Sequence, residues 1–260
     1  MLSFFRNPYR APPPKPKPIP VVNISTCTNG YTLADHPEWL REVLAGYRLT
    51  DFLDAFDHLT KDLRRGIYHG KAHAYATALN CYEGGVHSAC TRTSVRVQLV
   101  AGLYHDALHS CGAYSDQVNI PIACKALTTI NEAMGLDKRL TVVELAQALQ
   151  AIRATQYPYA AKKLTSPLDK IVRDADLMVT YLADRVQRKA LLMGLLTEKN
   201  QSDYGPDAYT SIDAFCEQQT VFATAVEWGT AWARNKALLL NWPLRTRGLV
   251  ADLRAVRADQ

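Results

Sequence analysis

The segment from Ser94 to His109 constrains the fold of this chain more than any other part of the sequence. Apolar side chains recur along it, and its charged residues lie towards its two ends. An apolar stretch of this length is typical of a helix buried at the centre of a bundle. The sequence therefore predicts a helical domain packed around residues 94–109.

Helical spacing of apolar residues, together with capping and helix-ending residues, occurs on both sides of this segment. The patterns predict further helices at His36–Gly46, Phe52–Leu63, Lys71–Cys81, Ile122–Met134, Thr141–Thr155, Pro167–Leu196 and Tyr209–Leu240, the last with a candidate break at Gly229. Polar or glycine-rich stretches at 83–93, 110–120 and 200–206 are predicted loops. Because no alternating strand pattern accompanies them, the predicted fold class is all-α.

The two ends of the chain differ in composition from its middle. Residues 11–20 hold six of the 13 prolines, and residues 1–34 carry a charge of +4. Residues 241–260 carry +2, which leaves −1 for the rest of a chain whose net charge is +5. We expect a proline-rich basic arm at 1–34, extended or disordered, one helical domain at 35–240 and a basic tail at 241–260. The arm is a candidate for contact with a partner groove or a second subunit in a homo-oligomer.

Composition argues against several classes of protein. No apolar run approaches the ~20 residues that cross a bilayer, so no membrane helix is expected. The excess positive charge lies at the ends, which argues against a nucleic-acid groove in the domain. None of the six cysteines has C-x-x-C spacing, so a thiolate zinc site is not predicted. Reduced thiols and a cytoplasmic location are the expectation for a chain of this kind.

Three stretches hold residue types that bind divalent metals. His69 and His73 are four residues apart and would share one face if both were helical. His105 and Asp106 are adjacent, and Arg173–Leu177 contributes two further carboxylates. Imidazole nitrogen combined with carboxylate oxygen suits manganese, magnesium, zinc, cobalt or iron. The sequence therefore predicts a site for one or two divalent ions.

The same stretches resemble the signature of the HD-domain metal-dependent phosphohydrolases, H…HD…D on an all-helical core. Tyr68-His-Gly-Lys-Ala-His-Ala74 is similar to the Y-H-N-x-x-H-A motif of class I cyclic nucleotide phosphodiesterases, and His105-Asp-Ala-Leu-His109 is similar to their H-D-x-x-H. Ala175-Asp-Leu177 is similar to their A-D-L/I segment. The resemblance covers about residues 60–180. It implies an all-helical HD domain and a nucleotide substrate.

The resemblance also implies a role for each residue of the motifs. The implied metal ligands are His73, His105, Asp106 and Asp176, with Asp106 bridging two ions. His69 is the implied general acid, and His109 is the implied neighbour of the second ion. In the implied reaction a metal-bound hydroxide attacks phosphorus, and an imidazolium protonates the leaving oxygen.

Helical periodicity leaves the choice between Asp174 and Asp176 open. The apolar stripe of the predicted helix passes between them, and each lies near one edge of it. The register of the resemblance favours Asp176. Replacing each aspartate and measuring bound metal decides between them.

The substrate is less well specified by the sequence than the metal. Gly70 stands where the family's motif has asparagine. This chain also lacks the second half of the family's H-A-x-D-V segment. Candidate substrate-binding residues are Lys71, Tyr104, Gln156 and Arg173, with packing or solvation as the alternative for each. Gln218, Gln219 and Phe222 are candidates for a base-binding glutamine and phenylalanine by residue type alone.

Three functions follow from these observations. The first is metal-dependent hydrolysis of a nucleotide phosphate ester by an enzyme of the cyclic nucleotide phosphodiesterase type. The second is a different HD activity with the same ligands, that of a (deoxy)nucleoside triphosphohydrolase or a 5′-nucleotidase. The third is a non-catalytic, metal-stabilised binding protein, which the proline-rich arm suggests and the full set of ligand types argues against.

Overall fold

A computed structural model of the chain describes residues 36–61, 68–111, 114–157, 164, 166–183, 185–201, 212–241, 248 and 251. The predicted arm and nearly all of the predicted tail lie outside the described residues. The helices are α1 His36–Gly46, α2 Thr50–Leu59, α3 Lys71–His87, α4 Arg92–Tyr104, α5 Asp116–Ala133, α6 Val142–Arg153, α7 Pro167–Tyr181, α8 Arg185–Gln201, α9 Ile212–Ala225 and α10 Ala231–Leu239. No strand occurs in the described part of the chain, which confirms the all-α prediction. None of the described helices is both long and apolar enough to cross a membrane.

Helix α4 is the central helix, as its apolar sequence predicts. It packs against α2, α3, α5, α6 and α7, and its residues from Val97 to Tyr104 are all buried. Gly102 allows the closest approach to α3: a Cβ atom there would lie 3.1 Å from Ala78 Cα and 2.7 Å from Cys81 Sγ. The missing side chain therefore lets α3 and α4 come into backbone contact.

Side-chain caps begin several of the helices. Thr141 Oγ1 accepts from Glu144 N at 3.2 Å, and Glu144 Oε2 accepts from Thr141 N at 2.8 Å. This reciprocal pair is the capping box that the Thr141 and Glu144 spacing predicts. Thr230 caps α10 in the same region where the sequence predicts a break at Gly229. Local chemistry therefore sets these two helix starts.

Helix α3 is longer than the sequence predicts. The prediction ends it at Cys81, but it continues through Gly84 and Gly85 to His87, so that the predicted loop at 83–93 is mostly helical. A Cβ atom at Gly84 would lie 2.8 Å from the Trp232 ring of α10, and one at Gly85 would lie 2.4 Å from Gln98 Oε1 of α4. These glycines permit close helix packing, whereas the sequence places them in a predicted loop.

Other boundaries differ where tertiary contacts decide them. Helix α5 begins at Asp116, six residues before the predicted start, with Pro121 inside it. The predicted helix 167–196 is two helices, because α7 ends at Tyr181 and α8 begins at Arg185. This break lets α8 turn back along the molecule and bring Glu198 to Tyr68 and His69, near the start of α3.

Candidate metal centre

Four side chains from α3, from the turn that follows α4 and from α7 converge in one cluster, which we call the metal cluster: His73, His105, Asp106 and Asp176. The two histidines are buried and the two aspartates are partly buried. Each offers one ligand atom, and these atoms all lie within 4.8 Å of one another. They are the four residues that the resemblance implies as metal ligands. The described structure therefore brings the predicted set together and could hold a metal ion.

The end of α4 positions His105 and Asp106. The sequence predicts a helix as far as His109, but α4 ends at Tyr104 and residues 105–108 form turns. The His105 Nδ1–H donates to Gly102 O at 2.8 Å. Because this bond places the proton on Nδ1, the Nε2 lone pair of neutral His105 is directed into the cluster.

The ligand atoms of the cluster are in hydrogen-bonding contact with one another. His73 Nε2 lies 3.2 Å from His105 Nε2 and 3.0 Å from Asp176 Oδ1, while His105 Nε2 lies 2.9 Å from Asp106 Oδ2. Two imidazole nitrogens at this distance must share a proton or a cation, since two lone pairs would repel each other. A divalent ion satisfies both nitrogens and both carboxylates at once.

The electrostatics of the cluster without metal are those of a site that holds a positive charge. Burial lowers the pKa of His105, but the carboxylates of Asp106 and Asp176 outweigh it and raise that pKa well above its ordinary value. Burial raises the pKa of Asp176, but the opposite effect of His105 and His73 is larger, and the resulting pKa is about 2. Burial also raises the pKa of Asp106, but His105 outweighs it and lowers that pKa well below its ordinary value. Both carboxylates are therefore ionised at neutral pH, and the proton on His105 balances only one of the two negative charges. A divalent ion in place of that proton would balance both.

The two aspartates of α7 have different environments. Asp176 lies in the metal cluster, whereas Asp174 is fully buried and faces α10. Asp174 Oδ1 accepts from Gly229 N at 2.9 Å, and its Oδ2 accepts from Thr230 N and Thr230 Oγ1 at 2.8 and 2.7 Å. Asp174 therefore holds the start of α10, and the geometry agrees with the register that favours Asp176.

His69 lies beside the metal cluster and is held by Glu198 of α8. It is not helical, since α3 begins at Lys71, so the condition under which His69 and His73 would share one helical face is not met. His69 Nδ1 lies 2.6 Å from Glu198 Oε2, and the backbone N–H groups of Tyr68 and His69 donate to Glu198 Oε1 at 2.5 and 3.0 Å. Glu198 fixes both the position and the ring orientation of His69.

The pKa values of this pair follow from its burial and its neighbours. Burial and the nearby His109 lower the pKa of His69 more than Glu198 raises it. Burial raises the pKa of Glu198, but the hydrogen bonds from His69 and Tyr68 outweigh it and lower that pKa below its ordinary value. Glu198 is therefore a buried carboxylate that remains ionised. Sequence reasoning missed it because its partner lies 129 residues earlier and no local motif marks it.

His109 stacks on His69 and lies outside the four-residue cluster. The two imidazole rings are 3.8 Å apart and nearly parallel. His109 Nδ1 accepts from Cys111 N at 3.1 Å, and His109 Nε2 lies 3.7 Å from Asp116 Oδ1. His109 therefore forms one wall of the space around His69, while its implied contact with a second ion stays a prediction.

The candidate substrate-binding residues have separate outcomes. Tyr104 is wrong as a contact residue, because it is fully buried and its hydroxyl donates to Phe52 O at 2.8 Å. Lys71 Nζ contacts Asp57, 3.3 Å from Oδ1 and 3.2 Å from the backbone O, so its charge is already paired. Arg173 and Gln156 are partly buried, and their roles stay predictions.

A second group of side chains, which we call the aromatic wall, consists of Tyr157, Tyr181, Gln219 and Phe222. The Phe222 ring lies 5.1 Å from that of Tyr157 and 5.4 Å from that of Tyr181. The Tyr181 hydroxyl donates to Gln219 Oε1 at 2.9 Å. The Tyr157 backbone N donates to Asp116 Oδ2 at 2.9 Å, which connects the wall to the His109 side of the metal cluster.

Comparisons with known proteins give no relationship for this chain. No protein-family model matches the sequence, and no curated protein is detectably similar to it. The arrangement of the side chains is therefore the basis for a functional conclusion.

Proposed function

We propose that this chain is a metal-dependent phosphohydrolase that cleaves a phosphodiester bond of a nucleotide, in the manner of the cyclic nucleotide phosphodiesterases. One observation carries the proposal: a cluster of two buried imidazoles and two partly buried carboxylates lies beside His69, a third imidazole held by an ionised carboxylate. The cluster alone would fit a structural metal site. The additional histidine, supported by Glu198, favours a reaction that needs a proton donor.

The donor set fits a divalent ion. His73, His105, Asp106 and Asp176 would hold it through nitrogen and oxygen atoms, a combination that suits manganese, iron, cobalt or zinc. When bound, such an ion would lower the pKa of a coordinated water and draw charge from a phosphate oxygen. Because the His105 Nδ1–H donates to Gly102 O, the Nε2 lone pair is available for this purpose without a change of ring orientation.

His69 is the residue best suited to protonate the leaving oxygen. Its Nδ1 is bound to Glu198, which leaves Nε2 as the ring nitrogen that can exchange a proton with substrate. Burial and the neighbouring His109 lower the pKa of His69, which makes its imidazolium a stronger acid, while the Glu198 carboxylate opposes this shift. A proton on Nε2 is therefore readily released to a leaving oxygen, and the bond to Glu198 keeps the ring oriented for the transfer.

The nucleotide part of the proposal is supported by the resemblance and by the aromatic wall. Tyr157 is 44% exposed beside Phe222, so part of an aromatic ring is open to a ligand. An aromatic face next to a phosphate-cleaving centre suits a nucleobase, which stacks on such rings.

The experiment that tests the proposal is a screen of the purified chain with and without added metal. Cyclic mono- and dinucleotides, nucleoside mono- and triphosphates and an aryl phosphodiester are each offered with manganese, magnesium, cobalt or zinc. We expect metal-dependent release of a linear nucleotide from a cyclic one, which is abolished in Asp176→Ala and strongly reduced in His69→Ala. The variant Asp54→Ala, at an exposed ion pair with Arg41, is the matched control for loss of a carboxylate.

The products distinguish the proposal from its alternatives. Inorganic triphosphate would identify a triphosphohydrolase, and inorganic phosphate from a monophosphate would identify a nucleotidase. Stoichiometric metal without turnover of any compound would refute an enzymatic function and favour the metal-stabilised binding protein.

A further inference from the structure

Hydrogen bonds connect Ser110 and Tyr114 to each other and to Asn119 in the first turns of α5. Asn119, which is 2% exposed, accepts from Ser110 N at 3.2 Å and donates to Tyr114 O at 2.9 Å. Ser110 Oγ also accepts from Tyr114 N at 2.9 Å. The start of α5 is therefore fixed relative to His109, and a side chain there can act as an anchor for another segment.

Asp116, the first residue of α5, reaches from this anchor to a different part of the chain. Its Oδ2 accepts from the backbone N of Tyr157, 41 residues later in the sequence and just beyond the end of α6. Its Oδ1 lies 3.7 Å from His109 Nε2. One carboxylate therefore contacts both the imidazole beside the metal cluster and the backbone of an aromatic-wall residue.

We propose that Asp116 is a positioning residue for substrate: its carboxylate ties Tyr157 to the His109 side of the metal cluster and thereby fixes the distance between the two. The proposal rests on the proposed function, because that distance matters only if the organic part of a substrate reaches from the metal cluster to the aromatic wall. Asp116 itself need not touch the reacting phosphate. Its effect is on how tightly the substrate is held, because a displaced Tyr157 makes a weaker contact with a bound base.

Two substitutions separate the hydrogen bond from the charge. Asp116→Ala removes the acceptor for Tyr157 N. It also removes a negative charge from the first turn of α5, where such a charge stabilises the helix. Asp116→Asn removes only the charge and keeps an oxygen that can accept. Glu38→Ala, an exposed acidic residue in the first turn of α1, is the matched control for loss of such a charge away from the site. The Asp116 side chain is 32% exposed, so neither substitution leaves a large cavity.

The test measures kcat, KM and the exchange rate of the Tyr157 amide hydrogen in each variant of the full chain. For Asp116→Ala we expect KM to rise about tenfold, as loss of one charge-assisted hydrogen bond would give, while kcat stays within about twofold. The Tyr157 amide should exchange faster in the same variant. Asp116→Asn should restore most of the affinity and of the amide protection, and Glu38→Ala should match the unmodified chain.

The outcomes that overturn the proposal are specific. An unchanged KM in Asp116→Ala refutes it, and so does a parallel loss of kcat, which would place Asp116 in the chemical step. Equal effects of Asp116→Asn and Asp116→Ala also refute it, because they would assign the role to charge. Absence of turnover by the unmodified chain refutes the proposed function, and the exchange of the Tyr157 amide then decides the tie between the two segments by itself.

Discussion

Asp174 and Asp176 are two residues apart on α7, and we expect their replacement by alanine to have opposite consequences. Asp176→Ala removes one of the four ligand atoms of the metal cluster, and the cluster contains no further carboxylate that could replace it. Metal affinity should fall by more than about 100-fold, since even the loss of a residue that only supports a ligand costs 10–100-fold. Asp174→Ala leaves the metal cluster intact, and its metal content should remain that of the unmodified chain.

We expect the loss of folding stability in the other variant, Asp174→Ala. Asp174 accepts three hydrogen bonds at the start of α10, and the alanine variant leaves the donors of Gly229 and Thr230 without that acceptor. At about 1–3 kcal/mol for each unsatisfied buried donor, partly offset because burial raises the pKa of Asp174 and makes its charge costly, we expect a net loss of about 3–5 kcal/mol. For a domain of this size that corresponds to a fall in Tm of about 6–20 °C.

The assay combines metal content per chain, measured by elemental analysis after gel filtration, with calorimetric unfolding of the metal-free chains. The two aspartates are controls for each other, because the substitution and the helix are the same. Full metal retention by Asp176→Ala would refute the assignment of the metal cluster. Loss of metal by a folded Asp174→Ala chain would refute it equally.

Three further predictions test the rest of the structure. Glu198→Gln should lower kcat about 10–100-fold without loss of metal, because it removes the charge that stabilises the imidazolium form of His69. An unchanged kcat would show that Glu198 only supports the fold. Metal affinity should rise between pH 6 and pH 8 with release of about one proton per ion, because the raised pKa of His105 keeps it protonated in the metal-free chain; titration calorimetry in two buffers of different ionisation enthalpy measures that proton. By the same shift, the stability that protonated His105 gives the metal-free chain is fully present below about pH 6.5 and is lost as the pH rises through its raised pKa. Gly84→Ala should destabilise the chain by about 1–3 kcal/mol, because its Cβ would lie 2.8 Å from the Trp232 ring, whereas Gly46→Ala, where no atom lies within 4 Å, should not; equal denaturant midpoints would contradict the packing argument.

The residue types of the metal cluster are visible in the local sequence, because His105 and Asp106 are adjacent and His73 and Asp176 lie in short stretches rich in metal-binding residue types. Local spacing does not choose among these candidates, since it leaves Asp174 and Asp176 open. The set of four ligands follows from the register of the resemblance. The central position of α4 was also predictable, since its apolar side chains surround the helix. These features need only the neighbours along the chain.

The features that sequence reasoning missed depend on contacts between distant segments. Glu198 has no marker in its own helix, because the groups that it binds belong to Tyr68 and His69. The sequence places Gly84 in a predicted loop, although it lies within α3 at the point where that helix meets the Trp232 ring. In both cases the residue type is explained by its partner in space, and that partner cannot be identified from local spacing.

The end of α4 has a consequence for the electric field at the metal cluster. The helix ends directly before His105, so the partial negative charge at the end of its peptide dipoles lies beside the cluster. Helix α3 begins at Lys71, two residues before His73, and Gly70 gives it no side-chain cap, so the partial positive charge at its start lies near His73. The backbone of the two helices that Gly102 brings together therefore polarises the space between them before any ligand arrives, with the end that attracts cations at His105 and the end that attracts anions at the start of α3.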